Sequence, residues 1–551
     1  MRVLTTLLLI LIPLVLYAQW PTNPNDRLYI SSGIDNAIIS DGNGGAFVAF
    51  ATNGTGGTSQ CYLQKLDFQG YAQFPTPILL DVGYGVTLLD FELLPDGEGG
   101  AIIVVTEEIA TSSNVKMGLF HYDSNGNNIY YNLLPDTVGY ICFGSVEIAA
   151  ASDHAGGVYL MYAHCDSLWQ NMQNCLQHIG PTGERLWGDT GIILDIGFPT
   201  LANPDYSLGS DSNFCYATAR GDTTHAFKFS FAGDALWGSE GILIRDLGNY
   251  TEPELTPDGT GGFVESYHIH SGLGDSLRLR RMDQFGNWVW GDEGFCLSDL
   301  YWQRSVLCRY PDIFVCWQSG VFPFQAKLQN INYQGIPQWL EDRYVFSSQE
   351  SQSEIMMQDA DGTGLLFSCR QSIPPDHSNF IAQKFNYSGE KLWDENDVTF
   401  ANGEGIFLYN LKLFSNDFGG ALFSWYDIHP SYGQLVCAAM VNVDGELGVV
   451  GIQTGSEIVI PAESNIVIYP NPANSQAKLI FPESLLRYKS IQVRLSDILG
   501  RTISTEQIDP KKEVVPLSTL VGDLSRLTSN LYILEMTAEN EHLVTKFVFL
   551  K

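Results

Sequence analysis

Three short groups of residues in this 551-residue chain carry side chains that could do chemistry. His268-Ile269-His270 puts two imidazoles on one face of an extended strand, a spacing that suits a metal pair, although two ligands fall short of a zinc site. Asp359-Ala360-Asp361-Gly362 has carboxylates at alternate positions before a glycine, as calcium loops begin, but lacks the further oxygen ligands of a full loop. Glu107-Glu108 offers carboxylates of the kind that acid–base catalysis uses, and one acidic dipeptide in an acidic chain carries little information. The weak metal candidates are therefore Asp359, Asp361, His268 and His270. Each has a plain structural alternative, a turn for the aspartates and an inter-sheet surface for the histidines. Calcium is the one cofactor this chemistry admits, and no catalytic or cofactor-binding residue is assigned.

Other chemistries lack their motifs. The chain has no Gly-x-Ser-x-Gly, no His-Glu-x-x-His and no Cys-x-x-Cys. Its glycine-rich turns precede strands rather than helices, so they are not phosphate-binding loops. Asp-box turns of the sialidase kind need Asp-x-Gly-x-x-Trp, and here the tryptophan comes later.

The candidates sit on a repeated framework. Glu254 to Leu297 reads as four short extended runs separated by three turns, and the same unit returns about every 50 residues, the repeat length of propeller blades. Its first turn appears as Asp41 to Gly45, Asp96 to Gly100, Asp153 to Gly157, Asp258 to Gly262, Asp361 to Gly364 and Asp417 to Gly420. Degenerate copies lie at Asp211-Ser212-Asn213 and Pro311-Asp312. An apolar strand follows each, and five residues past the last glycine stand Phe50, Tyr162, Tyr267 and Trp425. That odd offset places them on one strand face, where they should pack between neighbouring sheets.

A second turn recurs at Asp67 to Gly70, Asp123 to Gly126, Gly180 to Gly183, Phe231 to Gly233, Asp283 to Gly286, Asn332 to Gly335, Asn386 to Gly389 and Asn442 to Gly445. Four residues beyond it come Trp187, Trp237, Trp290 and Trp393, with Gln338-Trp339 a looser version. One large aromatic per unit should be buried, filling the gap between twisted sheets. Eight copies of each signal and no helical periodicity predict an all-β chain whose body is a β-propeller of eight blades, with seven the alternative. A β-helix or a sandwich array is the less favoured architecture. Asp26 to Ser31 resembles a fourth strand ahead of the first full unit and should complete the last blade.

The formal net charge of −33 excludes nucleic acid as a partner and disfavours anionic membranes. Arg2, the apolar run Leu7 to Leu16 and the small residue Ala18 read as a secretory signal peptide over 1–18. No later run is long and apolar enough to span a bilayer. Among the ten cysteines, Cys165 with Cys175 and Cys308 with Cys316 flank hairpins and could face across strands. The alternative is buried free thiols, since cysteine packs as a small hydrophobe.

Composition shifts after residue 452. Residues 453–465 read as a linker, and 466–551 as a small all-β sandwich with alternating strands at Ala477 to Phe481, Ile491 to Leu495 and Leu531 to Met536. The run Tyr469-Pro470-Asn471-Pro472-Ala473, the turn Asp497 to Arg501 and the ending Lys546 to Lys551 together resemble the type A C-terminal sorting domain of the Bacteroidota type IX secretion system. Asn530 stands where that family has glycine, and asparagine tolerates positive φ well. The resemblance implies passage through the periplasm, contact with the type IX machinery, and a secreted or surface location. The repeats, residues 19–452, are then expected to form a binding or structural module with a glycan or protein ligand. The rival expectation is an extracellular polysaccharide lyase or glycosidase on the same scaffold, which fold alone does not decide.

Overall fold

A computed structural model describes residues 19–53, 59–81, 87–108, 115–134, 140–141, 149–165, 173–194, 206–220, 224–244, 250–271, 274–299, 303–318, 322–347, 350–373, 377–404, 406–429, 433–448, 467–469, 478–480, 488–497, 502–508, 514–521, 530–538 and 541–549. The expected leader over 1–18 and linker over 453–465 lie outside the described residues. The chain divides into two compact bodies, residues 1–450 and 451–551.

In the first body each repeat forms an antiparallel sheet that runs in chain order from an inner to an outer strand. The first repeat is Asp35–Ser40, Ala46–Asn53, Ser59–Leu66 and Ile78–Leu80. The fifth is Tyr250–Pro257, Phe263–Ser271, Gly274–Met282 and Phe295–Asp299. The two-residue strand Tyr140–Ile141 pairs with both Val115–Tyr122 and Val158–Cys165, joining the second and third repeats into one sheet. The last repeat holds Phe407–Ser415, Ala421–His429 and Gly433–Val441, and its outer strand is Leu28–Ser32 from the other end of the chain. Several outer strands are very short, such as the three residues of Ile192–Leu194, which limits the open edge each sheet presents.

The second strand of each repeat is buried on both faces, as Asp312–Gln318 shows. The period of two then divides its residues between neighbours. Ile313, Val315 and Trp317 pack with the fifth repeat's Val264 and Leu277, whereas Phe314 and Cys316 pack with the seventh repeat's Leu365 and Phe367. The same sorting recurs between every successive pair of repeats. The circuit also returns to its start: Leu28, Leu422, Val436 and Ala438 of the last repeat share one cluster with Ile38, Val48 and Phe50 of the first. Phe50, Tyr162 and Trp425, foreseen between sheets, are buried in these clusters.

The turns owe their form to one carboxylate or amide each. Asp41 Oδ1 accepts from the amides of Asn43 and Gly45, at 2.9 and 2.8 Å, and Asp96, Asp153 and Asp258 repeat the pattern. Asp67, Asp123, Asp283, Asn332, Asn386 and Asn442 do the same in the second turn. Each is an Asx turn in which the side chain replaces a missing ladder partner.

The tryptophans correct one expectation. Trp187 and Trp393 are buried, but Trp237 and Trp290 are half-buried. All four indoles donate to the carbonyl of the next repeat's second turn, on Phe231, Gln284, Tyr333 and Val443, at 2.9 to 3.2 Å. In the last repeat the position four past the turn glycine is Val449. Trp20 supplies the missing indole. It is 3% exposed and donates to Phe68 O of the first repeat at 3.0 Å. Gly70 lies against it at φ +86°, where a Cβ would come within 2.6 Å of the Trp20 nitrogen.

The cysteine pairing is also corrected. Cys308 lies opposite Ile313 and Cys316 opposite Ser305, so the two do not meet, and both are free thiols. Cys175 faces Tyr162 and is free, while the side chain of Cys165 is outside the described residues.

The second body contains a three-stranded sheet of Val467–Tyr469, Lys478–Ile480 and Val514–Pro516. Its other sheet has the order Thr502–Ile508, Ile491–Asp497, Asn530–Ala538 and Glu541–Phe549. A short helix, Leu517–Val521, was not foreseen. Leu495, Leu534 and Met536 are buried, as the alternation of their strands requires.

Candidate functional site

Two sets of polar residues stand out in the first body, and only one of them opens on a cavity. The closed set is a buried pair in each of several repeats. The free oxygen of the first-turn aspartate meets a base on the third strand. Asp41 meets Lys65, Asp96 meets His121 at 3.0 Å, Asp153 meets His178 at 2.8 Å and Asp258 meets Arg281 at 2.7 Å. Burial drives the Asp153 carboxyl upward, but hydrogen bonds from His178 and the amides of Ala155 and Gly157 hold it below the usual carboxylate range. Asp96 behaves alike through His121, Glu98 and Gly100. Beside the base, Gln64, Gln177, Gln329 and Gln383 donate to a carbonyl in the loop before the outer strand. Arg280 takes this place in the fifth repeat, donating to Asp292 O at 3.1 Å and pairing with buried Glu265. These groups pair chiefly with one another and serve the sheets, although His178 Nδ1 makes no hydrogen bond among the described residues. Sequence reading missed them, although a signal is visible ahead of two of the second turns as Gln-base-apolar-Asx, in Gln64-Lys65-Leu66-Asp67 and Gln383-Lys384-Phe385-Asn386.

The open set lies on the inner strands. Four of these strands carry bulges, between Leu88 and Asp90, Thr251 and Glu254, Ser353 and Met356, and Tyr409 and Lys412. A bulge re-aims side chains and frees a backbone amide. The freed amides are taken up by side chains of the adjacent inner strand. Leu255 N donates to Ser207 Oγ at 2.9 Å, Ile355 N to Gln303 Oε1 at 3.0 Å and Leu411 N to Glu354 Oε2 at 2.8 Å. Glu354 and Asn410 sit in the left-handed region, at φ 52° and 53°, a conformation that surrounding contacts must enforce. Arg370 holds Glu354 at 3.4 Å, and Asp35 accepts from the Asn410 amide.

These strands and the inner strands of the first and sixth repeats line an open cavity of about 520 Å³, with Asp35, Asp90, Glu92, Glu254, Arg304 and Lys412 among its lining residues. Arg304 is fixed by Ser266 Oγ at 2.7 Å and lies 3.6 Å from Glu254, whose side chain is 51% exposed. Glu92 is half-buried at the cavity wall. Burial and the neighbouring Asp90 push its carboxyl up to about 8, against the opposing pull of the Ala150 amide and Lys412.

The metal candidates fall elsewhere. His268 is buried with Nε2 at 2.5 Å from the Arg304 guanidinium, and the side chain of His270 is outside the described residues. Asp359 accepts from the Gly362 amide at 2.5 Å and from the Tyr387 hydroxyl at 2.8 Å. Asp361 reaches the last repeat, accepting from Ser415 Oγ at 2.6 Å and the Gly419 amide at 3.1 Å. The two aspartates thus turn to different partners. Among the described residues no group of three or more His, Cys, Asp or Glu side chains is arranged to hold a metal ion. Glu107 is buried in its strand opposite Lys116, away from the cavity lining.

The second body has known relatives. Residues 467–550 match the family model described as a secretion system C-terminal sorting domain. This is the type IX sorting domain, and it implies export to the cell surface or secretion together with contact with the secretion machinery. No curated protein matches the chain. Among solved structures the chain is similar to PorZ of Porphyromonas gingivalis, described as an essential bacterial surface component of the type IX secretion system. That match has 11% identity over 94% of this chain and 75% of that one, at a TM-score of 0.27. A protein of unknown function from Dyadobacter fermentans matches at 11% identity over 77% of this chain and 98% of its own, TM-score 0.33. The acylaminoacyl peptidase of Pyrococcus horikoshii matches at 9% identity over 74% and 57%, TM-score 0.32. No helix among the described residues is long and apolar enough to cross a membrane.

Proposed function

We propose that the protein is a secreted or cell-surface binding or structural module, an eight-bladed β-propeller delivered through the periplasm by type IX secretion. The observation that carries the export claim is the sorting-domain match at residues 467–550. The propeller is supported by the circuit of apolar clusters that leads from repeat to repeat and back to the first. Eight blades rather than seven accords with the indole of Trp20 standing in for the tryptophan absent from the last copy. In this reading residues 1–18 are the leader, 19–452 the propeller, 453–465 the linker and 466–551 the address. A removable leader fits the N-terminal segment, because Gln19 is exposed while Trp20 is buried in the seam.

A ring tied by a strand from the opposite terminus resists opening, because separation must break backbone hydrogen bonds as well as side-chain contacts. That suits a domain which crosses two membranes and then works outside the cell. The rival reading, an enzyme acting on extracellular polysaccharide, is favoured by one feature, the carboxylates around the inner-strand cavity. Cell fractionation tests the main reading. In a host with type IX secretion, the chain lacking 466–551 is expected to stay folded in the periplasm while the full chain reaches the surface or medium. Surface display of the truncated chain would overturn the assignment.

A further inference from the structure

The inner-strand cavity has a volume of about 520 Å³, within the range of small-molecule sites. Its walls are fixed. The strained backbone at Glu354 and Asn410, on two of the lining strands, is held by Arg370, the Leu411 amide and Asp35, and Asp35 is itself in the lining, so this polar group keeps its place without a ligand. Apolar residues of the lining such as Phe91 and Leu93 turn into the cluster between the first two repeats.

The remaining lining sets the ligand class. Asp90 and Glu254 are acceptors, Lys412 is a donor and Gln358 offers both, while the Arg304 guanidinium, already engaged by Ser266, His268 and Glu254, contributes positive charge. An anion would meet the carboxylates and a cation would meet the lysine and arginine. A hydroxyl group, which donates and accepts at once, satisfies both kinds of neighbour. We propose that this cavity binds a neutral, hydroxyl-rich ligand, a saccharide unit, with the Glu92 carboxyl as hydrogen-bond donor and Asp90 and Glu254 as acceptors. This rests on reading the body as a binding module and names its ligand class.

The protonation of Glu92 supports the donor role. With its carboxyl pushed up to about 8, Glu92 keeps its proton at neutral pH. The charged groups facing it are Asp90 on its own strand, Lys412 on the last repeat's inner strand, Asp35 on the first repeat's, and Arg304 with Glu254 across the cavity. The third repeat contributes the Ala150 amide. Above pH 8 the donor is lost and a second negative charge appears beside Asp90, so saccharide binding should weaken as pH rises.

The test is isothermal titration of the mature full-length protein with cellotetraose, xylotetraose, chitotetraose and the anionic tetragalacturonate. At least one neutral oligosaccharide should bind at pH 6.5, and binding should weaken about tenfold, or one hydrogen bond's worth, by pH 9. Glu92→Gln should weaken binding a few-fold and flatten the pH profile, while Glu254→Gln should weaken it at either pH. Circular dichroism and surface fractionation of the same protein check the underlying reading separately. A folded, exported protein that binds none of the neutral probes would overturn the inference alone. Stronger binding of tetragalacturonate, or a pH profile unchanged in Glu92→Gln, would overturn it equally.

Discussion

Replacing Trp20 by alanine should unlock the seam between the last and first repeats. The indole is 3% exposed, packs with Leu28, Val436 and Leu66, and donates to Phe68 O. Truncating a buried large aromatic costs about 3–5 kcal/mol, counting lost transfer energy and the cavity left behind. The freed carbonyl adds little, because Phe68 is itself exposed and water can reach it. Trp20→Phe keeps most of the packing and loses the hydrogen bond, for about 1–2 kcal/mol. Trp187→Ala, at a buried equivalent position, should match Trp20→Ala, whereas Trp237→Ala should cost distinctly less because that indole is half-buried. The assay is equilibrium urea unfolding followed by circular dichroism, on chains with and without residues 451–551 so that the two bodies' transitions separate. A Trp20→Ala protein as stable as wild type, beside a destabilised Trp187→Ala, would refute the claim that the N-terminal segment locks the last repeat to the first.

Other outcomes follow from the same geometry. Asp153→Ala removes the acceptor of His178 and of two turn amides in a fully buried site, and should cost about 3–5 kcal/mol by thermal or urea unfolding. Burial and the neighbouring Asp90 raise the Glu92 carboxyl in the folded protein from its ordinary 4.5 to about 8, so the folded protein binds more protons than the unfolded chain between those values. Stability from this group is therefore full below about pH 4.5 and falls as pH rises toward 8. Glu92→Gln should accordingly match wild type at pH 5 and exceed it by about 2–4 kcal/mol at pH 9, and equal stability at both pH values would refute the placement. Alkylation with iodoacetamide should label exposed Cys296 quickly, and Cys61, Cys215 and Cys369, whose thiols burial pushes well up, only after denaturation.

Much of this fold is legible because it is local. The Asp and Asn of both turns bond amides two and four residues ahead, so their spacing announces the turn directly. Strand sorting follows from alternation. The closing strand Leu28–Ser32 was also foreseen, since the first full unit began one strand late. What escaped reading depends on contacts distant in sequence. Trp20 works with Gly70 and Val436, and beside the apolar N-terminal run it looks like the start of a new segment rather than the indole that matches Trp187 and Trp393. Trp237 and Trp290 share the motif of Trp187 but not its burial, which is set by how adjacent sheets pack around each loop. The cavity was hidden by the inner-strand bulges. Each extra residue, as at Glu354, breaks the alternation that would have told which carboxylates face inward.

The export address can be tested apart from the first body. Residues 451–551 fused to the C-terminus of an unrelated, leader-bearing fluorescent reporter should carry it to the surface or medium of a host with type IX secretion. The same fusion should remain periplasmic in a host whose type IX machinery is deleted. Quantitative fluorescence of fractionated cells gives the answer. A reporter that stays in the periplasm of the competent host, or reaches the surface without the machinery, would contradict the assignment of the second body as the sorting domain.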